Sequence, residues 1–225
     1  MIEAKGVSLK YQDGTLALKD IGLKVSPGKL IFITGPSGSG KTSLLKLLIG
    51  MEYPTSGSLN VLGQAMEPGE EKGIREIRRV IGPVFQELKL VRGRSSLENV
   101  MMGIRFLDFS QKEIRENSRI ALEKVGLAHK ALTPVENLSW GEAQRVSIAR
   151  AIARKPSLIL ADEPTGNLDK DNAVNILNIL SSFSDGNTAV LITTHATHLI
   201  ENLKNATILH MDNGSMSIER RGESE

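Results

Sequence analysis

Gly35-Pro-Ser-Gly-Ser-Gly-Lys-Thr42 is the stretch whose reading decides the fold. Its glycines let the backbone curl with N–H groups pointing inward, which makes a nest for an anion such as a phosphate. Lys41 is placed to reach the β and γ phosphates of a nucleotide, and the Thr42 hydroxyl suits a hard magnesium ion. The flanks agree. Leu30-Ile-Phe-Ile-Thr34 is a short, wholly apolar run that reads as a buried parallel strand. Residues 42–49 are leucine-rich and helical in pattern, so the positive end of a helix dipole would lie beneath the phosphates. The candidate phosphate contacts are Gly35, Pro36, Ser37, Gly38, Ser39, Gly40, Lys41 and Thr42. A flexible Gly/Ser turn is the plain alternative, and the strand and helix on either side argue against it.

Downstream, Leu158-Ile-Leu-Ala-Asp162-Glu163-Pro164 is a second apolar strand, and it ends in two adjacent carboxylates. Alternation along a strand points the two side chains differently. Asp162 would hold magnesium, directly or through water, and Glu163 would polarise the water that attacks the γ phosphate. Between the two motifs, Leu138-Ser-Trp-Gly-Glu142 combines Ser139 and Glu142 in a capping-box pattern at the start of a helix that Lys155-Pro156 stops. By itself that segment is a well-capped helix.

In this order and over nearly all 225 residues, the motifs resemble those of ATP-binding-cassette ATPases. The resemblance makes 35–42 the Walker A loop, Asp162 the end of the Walker B strand and Glu163 the catalytic base. It implies that Gln86, after Val84-Phe85, touches magnesium and the attacking water and links to a membrane partner. It implies that Ser139, Gly141 and Glu142 belong to the signature, which grips the γ phosphate bound by a second copy. Asp169, in Gly166-Asn-Leu-Asp169, falls in the D-loop that crosses the dimer interface, His195 is the switch histidine, and Tyr11 stacks on adenine. Trp140 departs from the pattern, standing where the family has glycine. The expectation is that it points away from the nucleotide.

What the resemblance implies is an α/β phosphate-loop core with an antiparallel β-subdomain and an inserted α-helical subdomain. Residues 1–86 and 139–225 would form the nucleotide-binding core and 87–138 the helical lobe, in one cassette domain. The function implied is Mg-dependent ATP hydrolysis by a homodimer closed around two ATP molecules, driving an integral membrane permease-like subunit from the cytoplasmic face of the membrane. Residues 161–169, Ala-Asp-Glu-Pro-Thr-Gly-Asn-Leu-Asp, are similar to subunits serving lipoprotein release, macrolide export and cell division. With 127 positions between Gly35 and Asp162, no long coiled coil of the chromosome-ATPase kind fits between them. The rival reading is a regulatory nucleotide-binding module whose hydrolysis is incidental, with Trp140 as its mark.

Local signals carry the same outline. Residues 1–25 alternate apolar and polar in short runs broken at Asp13-Gly14 and Pro27-Gly28, and residues 57–61 look like a further strand. Ser95 with Glu98 and Ser110 with Glu113 are two more capping-box candidates, and Gly126 suits a helix end. Asp212-Asn-Gly214 reads as a hairpin turn, and residues 219–225 as a disordered charged tail. The charged stretch 67–79 reads as a solvated loop and helix face, and Met101-Met102 as core. His195 and His198 lack the cysteine or acidic pattern of a zinc site, and His129 and His210 read as surface or packing residues.

Composition bounds these readings. The 28 basic and 26 acidic residues leave a net charge of +2, mixed along the chain, so no nucleic-acid surface is indicated. No apolar run approaches the roughly 20 residues of a membrane helix, and Met-Ile-Glu-Ala-Lys has no signal-peptide core. The absence of cysteine excludes disulfides and fits a reducing cytoplasm.

Overall fold

The computed structural model describes residues 1–201, 203 and 206–220. Its strands are β1 (Ile2–Lys10), β2 (Leu16–Val25), β3 (Leu30–Thr34), β4 (Ser56–Val61), β5 (Gln64–Ala65), β6 (Ile81–Val84), β7 (Leu158–Asp162), β8 (Ala189–Thr193), β9 (Thr207–Asp212) and β10 (Ser215–Arg220). The helices are α1 (Lys41–Leu48), α2 (Glu71–Arg79), α3 (Ser96–Ile104), α4 (Gln111–Lys124), α5 (Trp140–Ile152) and α6 (Lys170–Ser181). Two sheets form. One is antiparallel in the order β2-β1-β4-β5, and the other runs β10-β9-β3-β8-β7-β6. In the second, β9, β3, β8, β7 and β6 are mutually parallel, and β10 returns antiparallel on β9.

The parallel strands are apolar throughout because both faces are covered. Ile31 and Ile33 of β3, Leu158 and Leu160 of β7, and Ala189 and Leu191 of β8 join a core shared with α1 and the antiparallel sheet. Phe32, Ile159, Ala161, Val190 and Ile192 point the other way, into a core with α3 to α6. Parallel pairing places the carboxyl ends of β3, β8 and β7 side by side, and each buried aliphatic side chain contributes about 1.5–3 kcal/mol of transfer free energy. All three capping boxes are present, at Ser95, Ser110 and Ser139, each with its Glu three residues on.

Several local expectations are corrected. The first helix begins at Lys41 and ends at Leu48, one residue ahead of 42–49, because Gly40 already supplies the N-cap position. Strand β6 stops at Val84, which leaves Gln86 in the following loop. Helix α5 ends at Ile152, and Lys155 turns the chain at φ 53 before Pro156. The 67–79 stretch is more than a solvated face: Ile74 and Ile77 are buried, and Arg78 donates from Nε to the Ile49 carbonyl at 2.8 Å. Met101 packs against the second core, but Met102 is exposed on the opposite side of α3. Of the expected disordered tail, Glu219 and Arg220 continue β10, and residues 221–225 lie outside the described residues.

Candidate nucleotide site

Backbone crowding explains the glycines of the 35–42 loop. Gly35 has φ 140, and a Cβ there would stand 2.1 Å from the Met211 carbonyl oxygen. Gly40, at φ 106, would place a Cβ 2.6 Å from the Ala17 carbonyl oxygen. Any side chain at either position would drive β9 or β2 away from the loop. Lys41 is buried at 6 % exposure, and its Nζ donates to the carbonyls of Gly35 at 2.8 Å and Pro36 at 3.0 Å. The ammonium also pairs with Glu163 Oε1 at 3.4 Å. Ser39 is buried against the loop, its Oγ without a hydrogen-bond partner among the described residues.

The carboxylates are fixed from the neighbouring strand. Asp162 and Thr193 sit opposite one another at the ends of β7 and β8. The Thr193 hydroxyl donates to Asp162 Oδ1 at 2.7 Å and accepts from the Glu163 N–H at 2.9 Å. Thr42 Oγ1 donates to the same Asp162 oxygen at 3.2 Å. Glu163 holds the left-handed region at φ 45, and its Oε2 meets both His195 Nδ1 at 2.8 Å and the His195 N–H at 3.3 Å. A positive φ at a glutamate stores about 1–3 kcal/mol of strain and persists only where the surroundings hold it.

These groups face a cavity of about 650 Å³. Tyr11, Ser37, Gly38, Gly40, Lys41, Thr42, Gln86, Glu163 and His195 line it. Gly35 and Pro36 stand behind, reaching it through Lys41, and Asp162 reaches it through Thr42. At the far end the Tyr11 hydroxyl shares a hydrogen bond of 3.0 Å with Ser43 Oγ, and Lys46 Nζ lies 5.9 Å from the Tyr11 ring centroid.

Ser139, Gly141, Glu142 and Asp169 do not line this cavity. They form a second cluster at two helix N-termini. Ser139 caps α5 and accepts from the Glu142 N–H, while Glu142 accepts from the Ser139 N–H at 2.9 Å and pairs with Lys130 at 3.5 Å. The backbone hydrogen bond from Ser139, then the Lys130 charge, hold the Glu142 carboxyl below the usual glutamate range. Asp169 caps α6, accepting from the Asn172 N–H, which lowers its pKa in turn. The two caps adjoin: a Cβ on Gly141 would stand 3.2 Å from Asn172 Oδ1. Trp140 is 47 % exposed and faces a groove with Leu88, Leu90 and Leu138, away from the cavity.

Other contributors are not marked in the sequence. Thr193 fixes both carboxylates, and its only local sign is a polar residue ending the apolar run of β8. Asn213 and Gly214, at the hairpin tip between β9 and β10, also line the cavity. The turn was legible, but its approach to the phosphate loop, where the Gly214 N–H donates to the Ser39 carbonyl at 3.1 Å, depends on sheet order.

Comparison with known proteins gives a consistent result. Residues 18–166 match the ABC transporter family. The chain is 36 % identical to the cell division ATP-binding protein FtsE of Bacillus subtilis, covering 99 % of this chain and 98 % of the relative. It is 40 % identical to the protein of the same name from Escherichia coli, covering 89 % and 90 %. Among solved structures, the dimeric post-hydrolysis state of the cassette MJ0796, bound to ADP and Pi, superposes with a TM-score of 0.85 at 31 % identity, covering 98 % of this chain and 97 % of that one. CbiO1 of Clostridium perfringens, part of the ABC transporter complex cbiONQ, superposes with a TM-score of 0.87 at 28 % identity, covering 96 % and 86 %.

Proposed function

This chain belongs to the ABC transporter ATPase family, and from that premise we propose how its residues divide the work of hydrolysis. It is an ATP-hydrolysing subunit that dimerises around ATP and works with a membrane partner. The curated relatives point, within the family, to the cell-division group. No helix among the described residues is long and apolar enough to cross a membrane. Family membership supports attachment at the cytoplasmic face through the partner.

In this reading the loop 35–42 and Lys41 hold the phosphates, and Tyr11 offers a ring face to the base. Glu163 takes the proton of the attacking water, with His195 orienting the carboxylate through Nδ1. Thr42 and Gln86 line the cavity and Asp162 stands behind Thr42, oxygen-bearing groups of the kind that would hold magnesium, which would neutralise developing charge on the phosphates when bound. Ser139, Gly141, Glu142 and Asp169 serve the site of the second copy, and 87–138 is the lobe that carries the signature helix toward it.

The observation that carries this division is the separation of the two clusters: Lys41, Glu163 and His195 share one cavity, while Ser139 and Asp169 do not line it and cap α5 and α6. A site completed only on closure gives an idle monomer. Phosphate release per chain, followed through a dilution series, should therefore fall as dimers separate. Constant specific activity would overturn the shared site. The Trp140 indole lines a groove with Leu88, Leu90 and Leu138 on its own chain, which favours the hydrolytic reading over the incidental one.

A further inference from the structure

Arg150 on helix α5 and Arg154, two residues past its last turn, lie four positions apart, and neither lines the nucleotide cavity. Arg150 donates from Nη2 to the Leu88 carbonyl and from Nη1 to the Lys89 carbonyl, each at 2.6 Å. Arg154 donates from Nη1 to the Gly103 carbonyl at 3.0 Å and from Nη2 to the Arg78 carbonyl at 2.7 Å. Among the described residues neither guanidinium forms an ion pair with a carboxylate. Burial first, and a neighbouring arginine second, pull both below their ordinary pKa.

A half-buried cation held by carbonyls alone is an uneconomical way to fill space, since an apolar side chain of similar volume would avoid the desolvation. What arginine adds is geometry: two nitrogens of a rigid planar fork hold two adjacent carbonyls in fixed directions, whereas a lysine ammonium is a compact charge on a flexible stem whose donors rotate. The surroundings are shaped for it. A Cβ on Gly103 would stand 2.3 Å from Arg150 Cγ, so α3 leaves a track for the stem. Lys89 holds φ 50, a conformation a lysine keeps only where its surroundings impose it.

The position of the clamped segment gives the clamp its meaning. Leu88 and Lys89 follow closely on Gln86, which lines the cavity. Ser139 caps the same helix 11 positions before Arg150, about 16 Å away along the axis. We propose that Arg150 is a positioning residue for hydrolysis, tying the segment that carries Gln86 to the helix capped by Ser139 so that the two move as one body. Nucleotide engaged in one half-site is thereby felt at the helix end presented to the other. This rests on the assignment of Gln86 and Ser139 to the reaction.

The test compares steady-state ATP hydrolysis by the full chain and by Arg150→Lys, Arg154→Lys, Gln86→Ala and the Gln86→Ala/Arg150→Lys pair, with melting temperatures. Arg150→Lys should lower kcat about tenfold or more while KM for ATP stays within about threefold. The double variant should be no more than about twofold slower than the slower single variant, because both changes cut the same link. Arg154→Lys, which frees only Gly103 and Arg78, should lower the melting temperature and leave kcat within about threefold. If Arg150→Lys folds poorly, Arg150→Gln, which leaves no buried charge, carries the same expectations. Unchanged kcat in the Arg150 variants, an equal loss in Arg154→Lys, or fully multiplicative losses in the double variant would each overturn the clamp. Undiminished kcat in Gln86→Ala would instead remove Gln86 from the reaction and the clamp with it, whereas a silent Arg150 leaves that assignment standing.

Discussion

The phosphate-loop cavity and the face at the starts of α5 and α6 carry similar residue types but are built on opposite principles. In the cavity, the carboxylates are fixed by groups distant in sequence: Asp162 by Thr42 and Thr193, Glu163 by His195 and Lys41. At the starts of α5 and α6 each cap is local, Ser139 with Glu142 and Asp169 with Asn172, and Trp140 beside them is half exposed. Long-range networks pre-organise the part of the site that one chain supplies by itself. A locally capped helix end is stable in isolation and is presented outward, so its chemistry depends on what is brought to it.

The largest expected effect tests the cavity. Glu163→Gln removes the proton acceptor while keeping the hydrogen-bonding shape, so phosphate release should fall by about 10²–10⁴-fold with ATP binding retained. Gel filtration with ATP should show the variant as a dimer; a variant that remains monomeric would break the contrast between the two faces, since no second copy would then be recruited.

Next comes Ser139→Ala, and its controls are already in the molecule. Ser95 and Ser110 make the same capping box with Glu98 and Glu113. Loss of the hydroxyl should cost about 1 kcal/mol at each of the three positions by chemical denaturation. Only Ser139→Ala should also lose turnover, by about thirtyfold or more, because only that hydroxyl is offered to a second nucleotide. Equal turnover in all three variants would reduce the α5 start to an ordinary helix end. Thr193→Val is a smaller test on the cavity side: it leaves Asp162 one donor short and the Glu163 N–H unpaired, which should destabilise the fold by about 1–3 kcal/mol and slow phosphate release about tenfold.

How much of this was legible in the sequence follows the same divide. The locally encoded features read directly: the apolar runs of β3 and β7, the helix after the glycine loop, the three Ser/Glu boxes and the Asp212-Asn-Gly214 turn are all where their residues put them. What failed was non-local. Thr193 acts through its register opposite Asp162, Arg78 through a carbonyl at Ile49, and Gly103 through the Arg150 stem that crosses it. No window of sequence contains either half of such a pair together with its partner. Met102 failed for a related reason, since hydrophobicity alone does not say which side of α3 the core lies on.

Trp140→Gly sharpens the picture at lower amplitude. The indole faces Leu88, Leu90 and Leu138 rather than the cavity, so its removal should change turnover by less than about threefold. A rise of a hundredfold would place the ring against a phosphate after all and make the α5 start an inhibited site.

The smallest effect concerns acid. Hydrogen bonds from Ser95 hold Glu98 below the usual glutamate range, and those from Ser110 do the same for Glu113. A carboxylate whose folded pKa is depressed adds stability that is complete above its unfolded value, near 4.5, and is lost as pH falls through the lower folded value. Glutamine keeps the reciprocal bond of the capping box without the charge. Melting temperatures of a Glu98→Gln/Glu113→Gln variant should therefore lie slightly below the parent's at neutral pH and decline less steeply below about pH 4.5, so that the two converge in acid. Turnover at neutral pH should be unchanged, because these two caps face no nucleotide. An altered turnover would mean that a capping box holds the active geometry even where it touches none of it, and the boundary between the local and the pre-organised halves of the molecule would have to be redrawn.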